Sequence, residues 1–152
     1  MAVFDMRLEG TAELLASLRN ISDKVSSTAR KTMHRGADRI VKRAKLYAPV
    51  DTGALVDSIH KEVGYDDQNR RLEIDIVAGG EVDGVDVDAY VLEIHENYES
   101  MKPGKNTLAK MAANPGVLIG SKFLERAVDE EREKLEREVI VASVAVGEGE
   151  IR

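Results

Sequence analysis

The run Asp51-Thr52-Gly53-Ala54 has the composition of a catalytic carboxylate held on a tight turn. An aspartate so placed hydrolyses peptides when a second chain contributes its counterpart, because two adjacent carboxylates cannot both ionise and instead share a proton. Val117-Leu118-Ile119-Gly120 would pass for the apolar-apolar-glycine element that accompanies such a site. The surroundings oppose that chemistry, since it needs a buried apolar strand feeding the aspartate, and here a long basic helix pattern and Pro49 come first. A turn-building role for Asp51 follows instead, its side chain bonding nearby backbone amides. Other chemistries find less support. His34, His60 and His95 are isolated, there is no phosphate loop, and no nucleophile sits on a recognisable elbow. Asp83, Asp86 and Asp88 lie close together, but without EF-hand spacing or its closing glutamate. With no cysteine there is no disulfide, thiolate zinc site or cysteine nucleophile. The reading is a non-enzyme with no catalytic residue, cofactor or metal.

The elements that position this run change character across it. Upstream, Leu14, Leu18, Ile21, Val25, Ala29, Met33, Ala37, Ile40 and Ala44 recur in steps of three and four, predicting a helix over 11–47 that starts at Thr11. It would run about 50 Å, longer than a domain of this size needs for its own core. Asn20, Ser22, Ser26, Ser27 and Thr28 are mediocre helix formers and mark a candidate break near Asn20. Pro49 lacks a donor and pushes Ala48 out of helical geometry, so the helix stops there. Asp51, Thr52 and Gly53 then make a tight turn, with Gly53 able to take positive φ. Pro49, Asp51, Thr52 and Gly53 are the candidate architectural residues of this corner.

Beyond the corner, Leu55 to Val63 reads as a strand, 64–69 as a hairpin-like loop, and Arg71 to Ala78 as a second strand with Leu72, Ile74, Ile76 and Ala78 inward. One packed and one wet face imply an antiparallel sheet covered by the long helix. Residues 79–88 read as a mobile loop or strand extension, and Ala89 to His95 as a short helix or third strand. Residues 96–120 are broken at Pro103-Gly104 and Asn114-Pro115-Gly116 and are expected to stay flexible until assembly. Ser121 caps a helix over 121–138, and 139–152 is a β-prone tail that either joins the home sheet or adds to a neighbour's. The expectation is one α+β domain over 1–152, with a long N-terminal helix and a C-terminal helix packed on a small antiparallel β-sheet.

The formal net charge of −6 is unevenly spread: residues 1–50 carry ten Lys or Arg against five Asp or Glu, and the remainder twelve against twenty-three. Such a dipolar chain suits head-to-tail association of copies, which closes into a ring. Arg30, Lys31, Arg35, Arg39, Lys42, Arg43 and Lys45 crowd the second half of the helix, opposed only by Asp38. Among them Arg35, Arg39, Lys42 and Arg43 are candidates for an interface or for a lumen that attracts DNA phosphates non-specifically. A solvated or internally paired face is the alternative. No aromatics interleave with these cations, which argues against a single-strand binder. No apolar run reaches membrane-spanning length and Met1 to Asp5 lacks a signal-peptide layout, so a soluble intracellular product with no membrane partner is expected.

Ala48-Pro49-Val50-Asp51-Thr52-Gly53-Ala54-Leu55, followed by Asp57-Ser58-Ile59, resembles the signature corner of the tail-completion or neck protein family of long-tailed phages, the gene-product-ten-like proteins. Ala89-Tyr90-Val91-Leu92-Glu93 is similar to that family's tyrosine-alanine-x-x-valine-glutamate segment, with the first two residues transposed. Phe123-Leu124-Glu125-Arg126-Ala127 is similar to its proline-phenylalanine-leucine-x-x-alanine helix start, with Lys122 in place of the proline. His95-Glu96 stands where the family has a glycine. The likeness spans residues 11–138. It implies a structural virion protein, made in the host cytoplasm and placed at the neck or top of the tail. There it would form a homo-oligomeric ring of six copies joining head and tail, beside other neck, tail-tube or terminator proteins, with possible non-specific contact to packaged DNA. A tail-terminator ring is the rival within the class. A nucleic-acid-binding protein and a retroviral-type aspartic protease built on Asp51 are the rivals from outside it.

Overall fold

The computed structural model describes residues 11–151, and the sequence expectations for 1–10 and 152 lie outside the described residues. Helix α1, Thr11–Tyr47, runs unbroken for 37 residues. The break expected at Asn20 does not occur, because tertiary packing overrides weak propensity. From Val25 onward a second long helix lies alongside, and the hydroxyl of Thr32 donates to the Thr28 carbonyl at 2.9 Å.

After the corner the chain forms α2, Ala54–Ser58, where alternation had predicted the start of a strand. Asp57 N–H donates to the Gly53 carbonyl at 2.9 Å and Ser58 Oγ to that of Leu55 at 2.7 Å. The turn thus buries Ala54, Leu55 and Ser58 on one side, a helical spacing that outweighs the period of two. Strand β1, His60–Asp66, pairs antiparallel with β2, Arg71–Val77, in the register His60 to Val77 and Asp66 to Arg71. The connecting turn is held by Asp66, which accepts from the amides of Gln68 and Asn69 and from the Asn69 side chain. A second hairpin joins β3, Glu81–Val82, to β4, Val85–Asp86. Both of its turn residues have positive φ, Asp83 at 50° and Gly84 at 79°, the Asp-Gly turn that matches strand twist. The acidic loop is therefore a paired element.

Residues 89–120 carry helical segments on either side of the breaker at Pro103-Gly104. Helix α3, Val91–Asn97, leads through a 3-10 turn at Tyr98–Ser100 to α4, Lys105–Ala113. Helix α5 then runs from Phe123 to Ile151. The β-prone tail is thus the second half of one helix, correcting both the end at 138 and the strand. It has a partner helix to lie on: Lys24 Nζ reaches Glu150 at 2.6 Å and Gly147 faces Val25.

The architecture is α+β, as the periodicities indicated. Helices α1 and α5 form an antiparallel pair, and the β1–β2 hairpin lies against another side of α1, tied by Lys61 to Asp38 at 2.6 Å. The core sits at one end of the pair, where Ile40, Ala44, Tyr47, Leu55, Ile59, Val87, Phe123 and Ala127 meet. No helix among the described residues is long and apolar enough to cross a membrane.

Candidate functional site

The corner closes the carboxyl end of α1, where four carbonyls lose their intrahelical donors. Ala48 N still reaches the Ala44 carbonyl at 2.9 Å, and the buried Pro49 has no amide to continue the ladder. Residues 105–120 supply donors to the Lys45, Tyr47 and Ala48 carbonyls. Lys110 Nζ donates to the carbonyls of Lys45 and Ala48, both at 2.6 Å, and Gly120 N to that of Tyr47 at 2.9 Å. Thr107, 2 % exposed, accepts from Val50 N at 3.0 Å and donates to Val50 O at 2.9 Å. Burial lowers the Lys110 ammonium from its ordinary value, an effect opposed by its place at the negative end of a helix.

Within the turn, Gly53 has φ +96° and Thr52 Oγ1 accepts from Ala54 N at 3.4 Å. Asp51 is exposed and contributes through its backbone, its carbonyl accepting from Asn106 Nδ2 at 2.6 Å. Its carboxylate accepts no hydrogen bond among the described residues. Beside the turn lies a cleft of about 400 Å³ lined by Pro49, Thr52, Leu55, Tyr90, Tyr98 and Met101. Burial, then the negative charges of Asp51 and Asp86, raises the Tyr90 hydroxyl above its usual value.

The four cations singled out on α1 divide into two pairs. Arg39 donates through Nε to Glu131 at 2.9 Å and through its terminal nitrogen to Glu138 at 2.7 Å. Arg43 donates to Glu131 at 2.7 Å, Glu130 at 2.9 Å and the Tyr47 hydroxyl at 3.2 Å, and that hydroxyl donates to Glu130. The Glu131 side chain is only 2 % exposed. Burial alone would raise its carboxyl, but hydrogen bonds from the two guanidiniums overcome that and hold it below the ordinary glutamate value. Arg39 is raised in turn, first by Glu131 and then by Glu138, and Arg43 first by Tyr47 and then by Glu131. Arg39 and Arg43 therefore fasten α1 to α5 within one molecule.

Arg35 and Lys42 are exposed and have no carboxylate within ion-pair reach among the described residues, and Lys31 shares their edge. The sequence did carry a signal for Glu131: with Ala127 and Leu135 it falls on the inward stripe of α5 in steps of four, an acid where an apolar residue belongs. It carried none for Thr107 and Lys110, which act on backbone groups more than fifty residues away.

No curated protein and no solved structure matches the chain significantly. The model of one family, described as "Bacteriophage HK97-gp10, putative tail-component", matches residues 12–98, from the first turn of α1 through the corner and both hairpins to the end of α3. That span covers more than half of the chain and contains the corner whose residues resembled the same proteins. The chain belongs to the HK97-gp10-like family of phage tail components.

Proposed function

We propose that the protein is a structural component of the phage neck, of the tail-completion type, which assembles as a ring of six copies joining head and tail. The observation that carries this reading is the family match across the corner, residues 12–98. The charge left over after internal pairing supports it. Lys31, Arg35 and Lys42 share the open edge of α1, while Glu133 and Glu136 project from the outer side and opposite edge of α5. Copies placed side by side around an axis bring these two edges together, a heterologous contact that closes.

The test is the mass of the purified protein by light scattering across concentration and salt, with its copy number in assembled particles. A salt-sensitive ring, or a monomer that appears at ring stoichiometry in particles, is expected. A salt-indifferent dimer absent from particles overturns the reading. Contact with packaged DNA is a second reading, favoured by the groove between α1 and α5, where Arg35, Arg39, Lys134 and Arg137 meet a single carboxylate, Glu138. It requires steeply salt-dependent DNA binding that Arg35→Ala with Lys134→Ala weakens.

A further inference from the structure

The groove between α1 and α5 and the wet face of the β1–β2 hairpin carry opposite charge. Arg35, Arg39, Lys134 and Arg137 line the groove against Glu138, four cations to one carboxylate. Arg39 is held by Glu131 and Glu138, whereas Arg35 and Arg137 meet no carboxylate among the described residues. On the hairpin, side chains two apart share a face, and the face turned from α1 holds His60, Glu62, Arg71, Glu73 and Asp75, all exposed. Glu62 stands directly across from Asp75 in the strand register. Like charges so placed weaken a ladder. Glu62 has only His60 within reach, at 3.3 Å, Glu73 only Arg71, at 3.9 Å, and Asp75 no cation at all among the described residues. The hairpin thus keeps an acid pair that its own molecule does not neutralise.

The two surfaces match in height as well as in sign. The hairpin runs along α1, with Lys61 on Asp38 at 2.6 Å, the Tyr65 ring under the Arg30 guanidinium at 5.3 Å, and Arg70 on Asp23 at 3.0 Å. Lys61 also reaches His34 at 3.3 Å, so Glu62 and its partner Asp75 lie level with residues 34–38 of α1. The groove begins at the same height, Thr32 to Arg39, and the packing of Leu135 on Gly36 brings Lys134 and Arg137 level with it. Arg30, His34 and Asp38, which carry the hairpin, lie roughly 130° round α1 from Thr32, Arg35 and Arg39, so the two surfaces open on different flanks. A ribbon of two strands about 5 Å apart is narrow enough to lie along a groove between helices about 10 Å apart.

We propose that the β1–β2 hairpin of one copy lies along the α1–α5 groove of the next, with Glu62, Glu73 and Asp75 against Arg35, Lys134 and Arg137. Copies turned about an axis along the helix pair keep their heights, so acids and bases meet without sliding. A contact between different flanks then repeats until the ring closes. The acids of the hairpin add to Glu136, which also lies away from the groove. Nucleic acid in the groove would satisfy the bases and leave the acid pair of the hairpin unopposed. The inference rests on the ring reading above and assigns that ring its seam.

The test reverses one charge on each side. Asp75→Arg and Arg137→Glu, both at exposed positions, should each preserve the circular dichroism spectrum and weaken association about tenfold or more, read by light scattering at a salt concentration where the wild type assembles. An equal mixture of the two variants should assemble about as strongly as the wild type. In alternation each reversed acid meets a reversed base and each native acid a native base, and six copies permit alternation. Arg35→Glu replaces Arg137→Glu if the latter loses helical signal. Single variants that assemble like the wild type overturn the seam while leaving the ring, as does a mixture that fails to assemble. Loss of salt-dependent DNA binding in Arg137→Glu with assembly unchanged gives the groove to nucleic acid and also overturns the seam. If the wild type assembles only in particles, the variants and their mixture are read by copy number there, with the same outcomes. A wild type monomeric at every concentration and absent from particles overturns the ring reading itself, and the seam with it.

Discussion

Glu131 shows how one side chain can hold two helices in register, and what its loss would cost. Glu131→Gln keeps the shape and removes the charge that Arg39 and Arg43 share. Breaking one side of a buried ionic cluster costs several kcal/mol when every partner is dry. Here Arg39 and Arg43 are 32 % and 42 % exposed, so about 2 kcal/mol is expected in urea unfolding. The pH dependence has a definite sign. The folded carboxyl is held below its ordinary value, so its contribution is complete above about pH 5 and is lost as pH falls through the folded value. Unfolding measured from neutral pH down to about pH 3 should therefore show a shallower loss for Glu131→Gln than for the wild type. Thr107→Val tests the corner at the same scale: the shape survives, both bonds to Val50 go, and the half-buried Val50 amide and carbonyl lose their partner. A loss of about 2 kcal/mol is expected.

Gly36 governs how closely the helix pair can pack. In an isolated helix Gly36→Ala would gain about 1 kcal/mol. A β-carbon at this position would lie 2.3 Å from Leu135 Cδ1 and under 3 Å from two more of its carbons, so Leu135 must leave its rotamer. Overpacking costs about 1–3 kcal/mol, and a net destabilisation of about 1 kcal/mol is expected. The same change in a Leu135→Ala background should be neutral or stabilising, and a double-mutant cycle by thermal unfolding measures that coupling. The corner obeys a different rule. Gly53→Ala meets open space, its nearest neighbour being Asp57 Oδ2 at 3.9 Å, yet φ of +96° remains costly for any residue with a β-carbon. A loss of about 1–2 kcal/mol is expected, from conformation alone.

At the scale of the whole molecule the protein is a packed body with a helical arm extending from it. The buried cluster lies at the body end, around Phe123, Tyr47 and Ile59, and the charged clasp of Arg39, Arg43, Glu131 and Glu138 sits next to it. Toward the free ends of α1 and α5, burial falls away. A chain stopped after Glu138 keeps the body and the clasp, and strips the cover from residues 21–33 of α1. That half of the helix should then fray, because an isolated helical segment is marginal in water. Trypsin should cut the shortened chain faster than the full chain at Lys24 and Lys31, while the near-ultraviolet signal of the body tyrosines persists. Equal protection of these sites in the full and shortened chains would show that α1 needs no partner there.

The sequence by itself determined the long amphipathic helix, its stop at Pro49, the β1–β2 hairpin, the α+β class and the resemblance of the corner. Each of these is written in local periodicity or in the fixed geometry of proline and glycine. It could not settle Val139–Val146, because β-branched residues favour a strand only where a sheet receives them, and here α1 offers a helical groove. Leu55 to Ile59 likewise alternates like a strand but folds as a helical turn, its burial set by the core it enters. The Asp83-Gly84 pair is itself a local hairpin signal, set among acids that carry no such information. Only the tertiary structure decided which cations are free, by bringing Glu130, Glu131 and Glu138 from nearly a hundred residues away onto Arg39 and Arg43 and leaving Arg35 and Lys42 open. Charge pairing across a fold depends on distance in space, and a sequence holds only the order of its residues.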